Sequence, residues 1–526
     1  MSQTIASVAI APIASKHRGA ALAVLCAAVF CINVDSTIVN IALPALVRQL
    51  GASTRDLQWV VDAYNLTFAA LVLAAGSLGD RYGRKGALVA GLAIFGTATS
   101  IGGLVNSSQS LLVVRAGMGV GAALIFPATL SIISNLYTGR TERAKAIGVW
   151  GAMTGLGVAF GPVTGGFLLE HFWWGSVFVV MAPVAALTLV AAVRFVPTSR
   201  DPSTPPLDIV GLVLSTLGIG TLVYTIIEAP DRGWTNASTV RGFAITALVA
   251  IVFVWWERRQ ENPMLDLSLF GNLRFSAASG SVTVSFFALG GFVFLITQYF
   301  QFLKDYAPLS TGVRILPVAL SIGIGSMLGV RLSVSAGNKA VVAVGLTMVG
   351  ASFAWVSTAS TATSYLEIAG QMVLAGIGLG FTTAPATEAI MGVVPLEKAG
   401  VGSAVNDATR ELGGTLGVAV IGSVYASLYH SGLDSRDLVA TGATRAAAKE
   451  SIGAAIATAR QLGADGMQLL ATAQRSFFDG FQAGCLVAAG VLIAGAIFAA
   501  IFLPSRPALD GHPSIEPITQ HTKENQ

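Results

Sequence analysis

Several acidic side chains of this sequence fall inside long apolar runs, where an ionisable group is costly and therefore marks a route for protons or ligands. Asp35 lies in the outer half of the first run and Asp62 near the outer end of the second. Asp407 and Glu411 stand four residues apart on one helical face of the thirteenth. Glu388, near the inner end of the twelfth run, reads as an acid solvated at a mouth. A carboxyl held away from water can load and release a proton, and a cation can compete for its ionised form. That competition is antiport chemistry. Arg115 is a lone cation in the fourth run and needs a polar interior or an acid partner. Arg410 is placed to neutralise Asp407 or Glu411. Trp59, Tyr64, Trp150, Phe286 and Phe292 can offer ring faces to an organic cation, although packing is the commoner role of such residues.

These residues need a membrane scaffold. The 526 residues are 54% hydrophobic and 11% charged, against roughly 25% charged in an ordinary soluble domain. A helix needs about 20 apolar residues to cross the hydrocarbon layer. Fourteen windows qualify, at 19–41, 58–79, 86–105, 110–135, 145–168, 175–195, 208–228, 241–256, 275–300, 309–330, 340–358, 364–390, 400–427 and 479–503. The 59 glycines fit closely packed membrane helices. An outer-membrane barrel would show alternating segments of about 10 residues instead. Lys16 and Arg18 precede the first run, but no small-residue cleavage pattern follows it, so that run is read as a retained span.

Lys and Arg concentrate in the short loops of one side, including Arg81, Arg84, Lys85, Arg140, Arg143 and Lys145. The short loops of the other side hold only Arg48, Arg55, Arg232, Arg241, Lys304 and Arg314. The bias predicts both termini in the cytoplasm and an even number of spans, in a bacterial inner membrane. It gives no reason to invoke nucleic acid. Cys26, Cys31 and Cys485 lie in or beside spans and imply no disulfide framework or metal site. The five histidines are scattered in loops and tails.

The organisation expected is six plus two plus six spans, an all-α membrane protein. Residues 1–196 form an N-terminal bundle, 197–274 a linker with two extra spans, and 275–503 a C-terminal bundle, followed by a disordered cytoplasmic tail at 504–526. The Pro-rich stretch Pro197–Pro206 is the linker. An extracytoplasmic loop at about 429–478 should carry one or two short amphipathic helices within Ala443–Leu470, as a lid, an ornament or a gate.

Motifs sharpen this picture. Between spans 2 and 3 stands Gly76-Ser77-Leu78-Gly79-Asp80-Arg81-Tyr82-Gly83-Arg84-Lys85, whose glycines allow a tight turn and whose Asp80 can pair with cations as a bundle rocks. It resembles the signature loop of the major facilitator superfamily. Arg115-Ala-Gly-Met-Gly119 resembles the family's span-4 motif, with Met118 where Gln is usual; the resemblance assigns its basic residue to proton transfer. Gly155-Leu-Gly-Val-Ala-Phe-Gly161-Pro162-Val-Thr-Gly165-Gly166 is similar to the family's antiporter motif, a Gly-lined, Pro-kinked helix that packs closely. Asp35-Ser-Thr-Ile-Val-Asn40-Ile-Ala-Leu-Pro44, Gln58-Trp59-Val-Val-Asp62-Ala-Tyr64, Asn262-Pro263-Met264, Arg410-Glu411-Leu-Gly413-Gly414 and Leu169-Glu170-His171 resemble the 14-span drug:proton antiporters, in particular the quaternary-ammonium exporters. The second-half signature loop is reduced to Arg331…Gly337-Asn338-Lys339.

The resemblance implies a major facilitator fold and alternating access. It implies proton-coupled export of hydrophobic, mostly cationic compounds, with no cofactor, the proton gradient as energy source and a monomer as the working unit. Asp35 is the first choice for the coupled acid, with Asp62, Asp407 and Glu411 cooperating and Arg115 tuning. Gly76, Asp80, Arg81, Gly83, Arg84, Lys85, Gly155, Gly161, Pro162, Gly165 and Gly166 should govern switching. The rivals are a facilitator for an endogenous metabolite, a lipid, a narrow-range antibiotic or a nutrient, and a membrane-embedded enzyme or sensor. The last needs a nucleophile or metal cluster that the sequence does not display.

Overall fold

The computed structural model describes residues 15–137, 139–200, 207–393, 399–434, 442–463 and 466–505. The expected disordered tail lies beyond them except for Pro504 and Ser505, and so do residues 201–206 of the linker. The chain is all-helical across the described residues. The first bundle comprises α1 (Ser15–Leu50), α2 (Thr54–Tyr82), α3 (Arg84–Gly102), α4 (Ser108–Leu136), α5 (Arg140–His171), the short α6 (Ser176–Val179) and α7 (Met181–Phe195). Two helices follow, α8 (Ile209–Arg232) and α9 (Ala237–Glu257). The second bundle has α10 (Leu273–Gln298), α11 (Pro308–Ala336), α12 (Asn338–Val356), α13 (Tyr365–Met391), α14 (Ala399–Asp434), α15 (Gly442–Glu450), α16 (Ile452–Leu462) and α17 (Gly466–Phe502). Among the described residues, fourteen candidate spans are long and apolar enough to cross a bilayer, with α6 and α7 together forming one of them.

Local chemistry sets the boundaries. Ser53 and Asp56 close a reciprocal capping box at the start of α2, the Asp56 amide donating to Ser53 Oγ over 3.1 Å. Ser107, Asp208, Asn236, Asn272 and Ser364 cap five further helices, each side chain accepting from a backbone amide of the first turn. Gly83 and Gly337 join α2 to α3 and α11 to α12 with φ of 134° and 84°, values that favour glycine.

The two bundles repeat one pairing scheme. α1 packs on α5, α2 on α4, and α3 on α4 and α7; α10 packs on α14, α11 on α13, and α12 on α13 and α17. Even the junctions correspond: the Arg84 amide donates to Ser199 O over 3.0 Å, and the Asn338 amide to Ser505 O over 3.1 Å. The halves then meet crosswise, α2 against α14 and α5 against α11. The extra pair α8–α9 sits outside this ring, α8 against α2 and α14.

Small residues permit the close approaches, as expected where lipid offers no hydrophobic drive between helices. A Cβ at Gly290 would stand 2.6 Å from Gly414 O, and one at Gly325 would stand 2.6 Å from Ile377 O.

Helix ends depart from the hydropathy windows. α1 continues to Leu50 rather than 41, and α17 begins at Gly466 rather than 479, because these segments pack on protein rather than lipid. The interhelical segment is therefore shorter than 429–478 and carries two helices, α15 and α16. They lie across the face opposite the termini, here called the distal face. Tyr429 donates to Ala448 O over 3.0 Å and Thr54 to Glu450 O over 3.1 Å, so the segment touches α14 and α2 together.

Candidate functional site

Asp35 and Arg115 find each other. Arg115 Nη1 donates to Asp35 Oδ2 over 2.7 Å, with the two side chains 1% and 0% exposed. The guanidinium also donates from Nε to Val60 O over 3.0 Å and lies over the Tyr64 ring at 4.4 Å. One cation thus ties α1, α2 and α4. Gly119, one turn along from Arg115, permits this: a Cβ there would lie 2.6 Å from Tyr64 O. Met118 of the span-4 motif is fully buried. Asp35 Oδ1 has no hydrogen-bond partner among the described residues.

Asp62 is fully buried on α2, and neither carboxyl oxygen has a hydrogen-bond partner among the described residues. It stands one turn from Gln58, on the helix face turned to α14. Gln58 Nε2 donates to Val418 O and Ala419 O, each over 3.2 Å, and crosses between the two halves.

Asp407 is buried and Glu411 half-buried on α14. Arg410 turns to other groups: Nη2 donates to Thr387 Oγ1 over 3.1 Å and the guanidinium lies 5.4 Å over Phe286. Tyr64 lies under Arg115 on α2, the helix that meets α14 of the other half.

The aromatic candidates divide. Tyr64, Phe68, Phe126 and Trp150 form a continuous series at 6.2, 5.8 and 5.2 Å between neighbouring rings, with Trp150 Nε1 anchored on Thr129 Oγ1 over 3.0 Å. Phe286 lies beside Arg410. Trp59 instead packs on Tyr224 of α8 at 6.1 Å, and Phe292 on Phe353 of α12 at 5.8 Å, so neither joins the acids. Glu388 is exposed and accepts from Asn338 Nδ2 over 3.2 Å.

The candidate switching residues occupy two places. At the α2–α3 junction Asp80 holds Arg84 Nε at 2.5 Å, Lys85 Nζ donates to Val193 O over 2.7 Å, and Arg81 lies over Tyr82. Gly76 faces Pro127 of α4. On α5, a Cβ at Gly161 would meet Thr37, Val34 O at 2.8 Å and Ile38 N at 3.1 Å; Gly165 faces Ile38. Gly166 and Pro162 face α11, where a Cβ at Gly166 would stand 2.6 Å from Pro308 O. Gly155 faces open space, whereas Gly157 presses on Phe30 O at 2.9 Å.

Three further contributors had no role assigned from the sequence, although two of them, Gly157 and Gln58, lie within the motifs. Gly157 completes a one-turn repeat with Gly161 and Gly165, which spacing alone could have revealed. Gln58 and Gln301 are amides within apolar helices. Gln301 Nε2 donates to Ile41 O over 3.0 Å and its Oε1 accepts from Arg48 over 3.2 Å. With Gln58, Pro162 and Gly166, these contacts close the halves on each other toward the distal face.

Gln58→Leu should weaken that closure by about 1 kcal/mol, the net value of a typical hydrogen bond. A cysteine placed at Thr415, fully buried on α14, should then react several-fold faster with an impermeant maleimide supplied at the distal face. An unchanged rate would remove Gln58 from the closure.

A repeated pair of six-helix bundles, each with the same pairing, around acids shared between α1, α2 and α14, defines a membrane transporter. A family model described as Major Facilitator Superfamily matches residues 25–418, and the chain belongs to that family as a multi-pass membrane protein with the 6+2+6 arrangement. It is 34% identical to the multidrug efflux pump LfrA of Mycolicibacterium smegmatis over 90% of this chain and 94% of the relative. It is 35% identical to the multidrug resistance protein Stp of Mycobacterium tuberculosis, covering 76% and 74%. With the methyl viologen resistance protein SmvA of Salmonella typhimurium it shares 31% identity, covering 88% and 93%. Among solved structures, a bacterial homolog of the human lysosomal transporter Spinster superposes with a TM-score of 0.67 at 16% identity, covering 94% of this chain and 98% of that one. That likeness is one of fold.

Proposed function

We propose that this protein is a proton-coupled multidrug efflux antiporter that exports hydrophobic, mostly cationic compounds by alternating access. The relatives named for multidrug and methyl viologen resistance support efflux, and methyl viologen is itself an organic dication. The observation that supports the coupling is the set of acids in the two halves, with Asp35, Asp62 and Asp407 buried and Glu411 half-buried. An ionised carboxylate in such surroundings is costly until a proton or a cation removes its net charge. The two occupants therefore exclude each other, and exclusion at a shared charge is sufficient for exchange.

Arg115 holds Asp35 when neither occupant is present, and its release lets α1 move relative to α2 and α4. Phe286, Trp150 and Tyr64 supply ring faces for the cargo. The glycine face of α5 provides a smooth surface on α1 for rocking between states, while Asp80 and Arg84 brace the opposite side. Both termini lie in the cytoplasm of a bacterial cell, the polypeptide works as a monomer, and the proton gradient replaces any cofactor. Distal closure then corresponds to a state shut towards the outside.

A whole-cell efflux panel tests this reading. Cells making the protein should expel ethidium, benzalkonium and methyl viologen faster than control cells, and an uncoupler should return efflux to the control rate. Efflux that survives the uncoupler would sink the coupling; no efflux of any cation would favour an exporter of an endogenous metabolite or lipid.

A further inference from the structure

Helix α9 is the least covered of the spans, and one of its faces is shaped. Ala250, Ile251, Val254, Trp255, Arg258 and Arg259 line a groove of about 590 Å³. They recur at one-turn spacing, so a shallow, open groove with an almost wholly apolar wall runs along one helix face, and Arg258 and Arg259 stand at its end. The order of chemistry follows the membrane normal. α9 spans Ala237–Glu257, about 30 Å at 1.5 Å per residue, so Arg258 and Arg259 stand at the headgroup level. Ala250 lies about 12 Å deeper, among acyl chains.

The charges at the mouth are not compensated. Arg259 stacks on Trp255 at 4.3 Å, and among the described residues neither arginine forms a salt bridge. The adjacent acid turns the other way. Glu257 is 3% exposed and accepts from the Leu265 amide over 3.2 Å, while Asp208 accepts from Trp256 Nε1 at 3.0 Å. These two carboxylates are thus consumed inside the α8–α9 pair; Glu261, exposed past the helix end, forms no salt bridge with either arginine among the described residues, and the two guanidinium groups against one acid leave this surface net positive. An aromatic ring beneath a guanidinium at the interface, with a second guanidinium beside it, matches a phosphodiester above and a hydrocarbon chain below.

We propose that this groove is a binding site for an anionic phospholipid, its phosphate held by Arg258 and Arg259 and one acyl chain laid along Val254, Ile251 and Ala250. The site is independent of the transport cycle's acids and gives the two extra helices a task of their own, anchoring the bundle to charged lipid.

Native mass spectrometry of the full chain in detergent, titrated with dioleoylphosphatidylglycerol or dioleoylphosphatidylcholine, tests it. The anionic lipid should bind about tenfold more tightly at low ionic strength, and the preference should shrink with added salt. R258Q/R259Q should bind both lipids equally, R258K/R259K should retain most of the preference, and glycerol 3-phosphate should not compete. Equal binding of the two lipids by the wild type, an undiminished preference in the glutamine pair, or competition by the free phosphate would each overturn the proposal. So would a dimer that buries these arginines.

Discussion

Replacing Asp35 with Asn is expected to abolish gradient-driven export while the protein still reaches the membrane. Asparagine keeps the size of the side chain but cannot carry the charge for which proton and cargo compete, nor hold Arg115 electrostatically over the present 2.7 Å. Arg115 would retain Val60 O and the Tyr64 ring, so the fold should persist at a cost. Breaking one partner of a buried pair costs about 3–5 kcal/mol in soluble proteins. The apparent melting temperature in detergent should accordingly fall. A double variant, D35N with R115Q, separates the two roles. Removing both charges should restore most of the lost stability, because no lone cation remains, yet export should stay absent. Full export by D35N in vesicles with an imposed pH gradient would show that Asp35 is a structural partner of Arg115 and nothing more.

The second large effect belongs to Gly161. Its α-carbon sits so close to α1 that a Cβ would meet the Thr37 side chain and stand 2.8 Å from Val34 O and 3.1 Å from Ile38 N. Backbone atoms cannot turn aside, so Gly161→Leu must push α1 away from α5. Overpacking of this kind costs about 1–3 kcal/mol, and α1 also carries Asp35. Export should be lost, and the Arg115 pairing disturbed with it. Gly151→Ala on the same helix is the comparison, since a Cβ there meets nothing within 4 Å; it should export like the wild type. Equal activity of the two variants would mean that α1 and α5 do not need their close contact.

The legible and illegible parts of this molecule separate along physical lines. Fourteen crossings could be read because lipid contact demands long apolar runs, and that demand is written residue by residue. The ends of those crossings could not. The stretch from Gly466 to Phe478 is too polar for a hydropathy window but continues α17 against α14 and α16. Individual acids were visible because charge is rare in such helices. Their partners were not, since Asp35 and Arg115 are 80 residues apart and meet only when α1, α2 and α4 pack together. Arg410 could be read as a charge beside its neighbours on α14, but its reach to Thr387 and Phe286 on other helices could not. Trp59 and Phe292 looked like cargo-facing rings by proximity in sequence. Helix rotation turns the first towards α8 and the second towards α12. Gly83 and Gly337 could be anticipated as turns, and the matching hydrogen bonds from Arg84 and Asn338 disclose a repeat whose second copy has Asn338 in place of Arg84 but keeps Lys339.

The proposed antiport rests on cargo and proton displacing each other at the same buried carboxylates. Proton release on binding tests this most directly. Purified protein in weakly buffered detergent, with a pH indicator, is mixed with a quaternary ammonium compound near neutral pH while tryptophan fluorescence reports binding. Protons should appear in the medium as cargo binds, less in D35N and none when Asp62→Asn, Asp407→Asn and Glu411→Gln are added to it. Saturable binding with no proton release by the wild type would contradict the shared-charge mechanism.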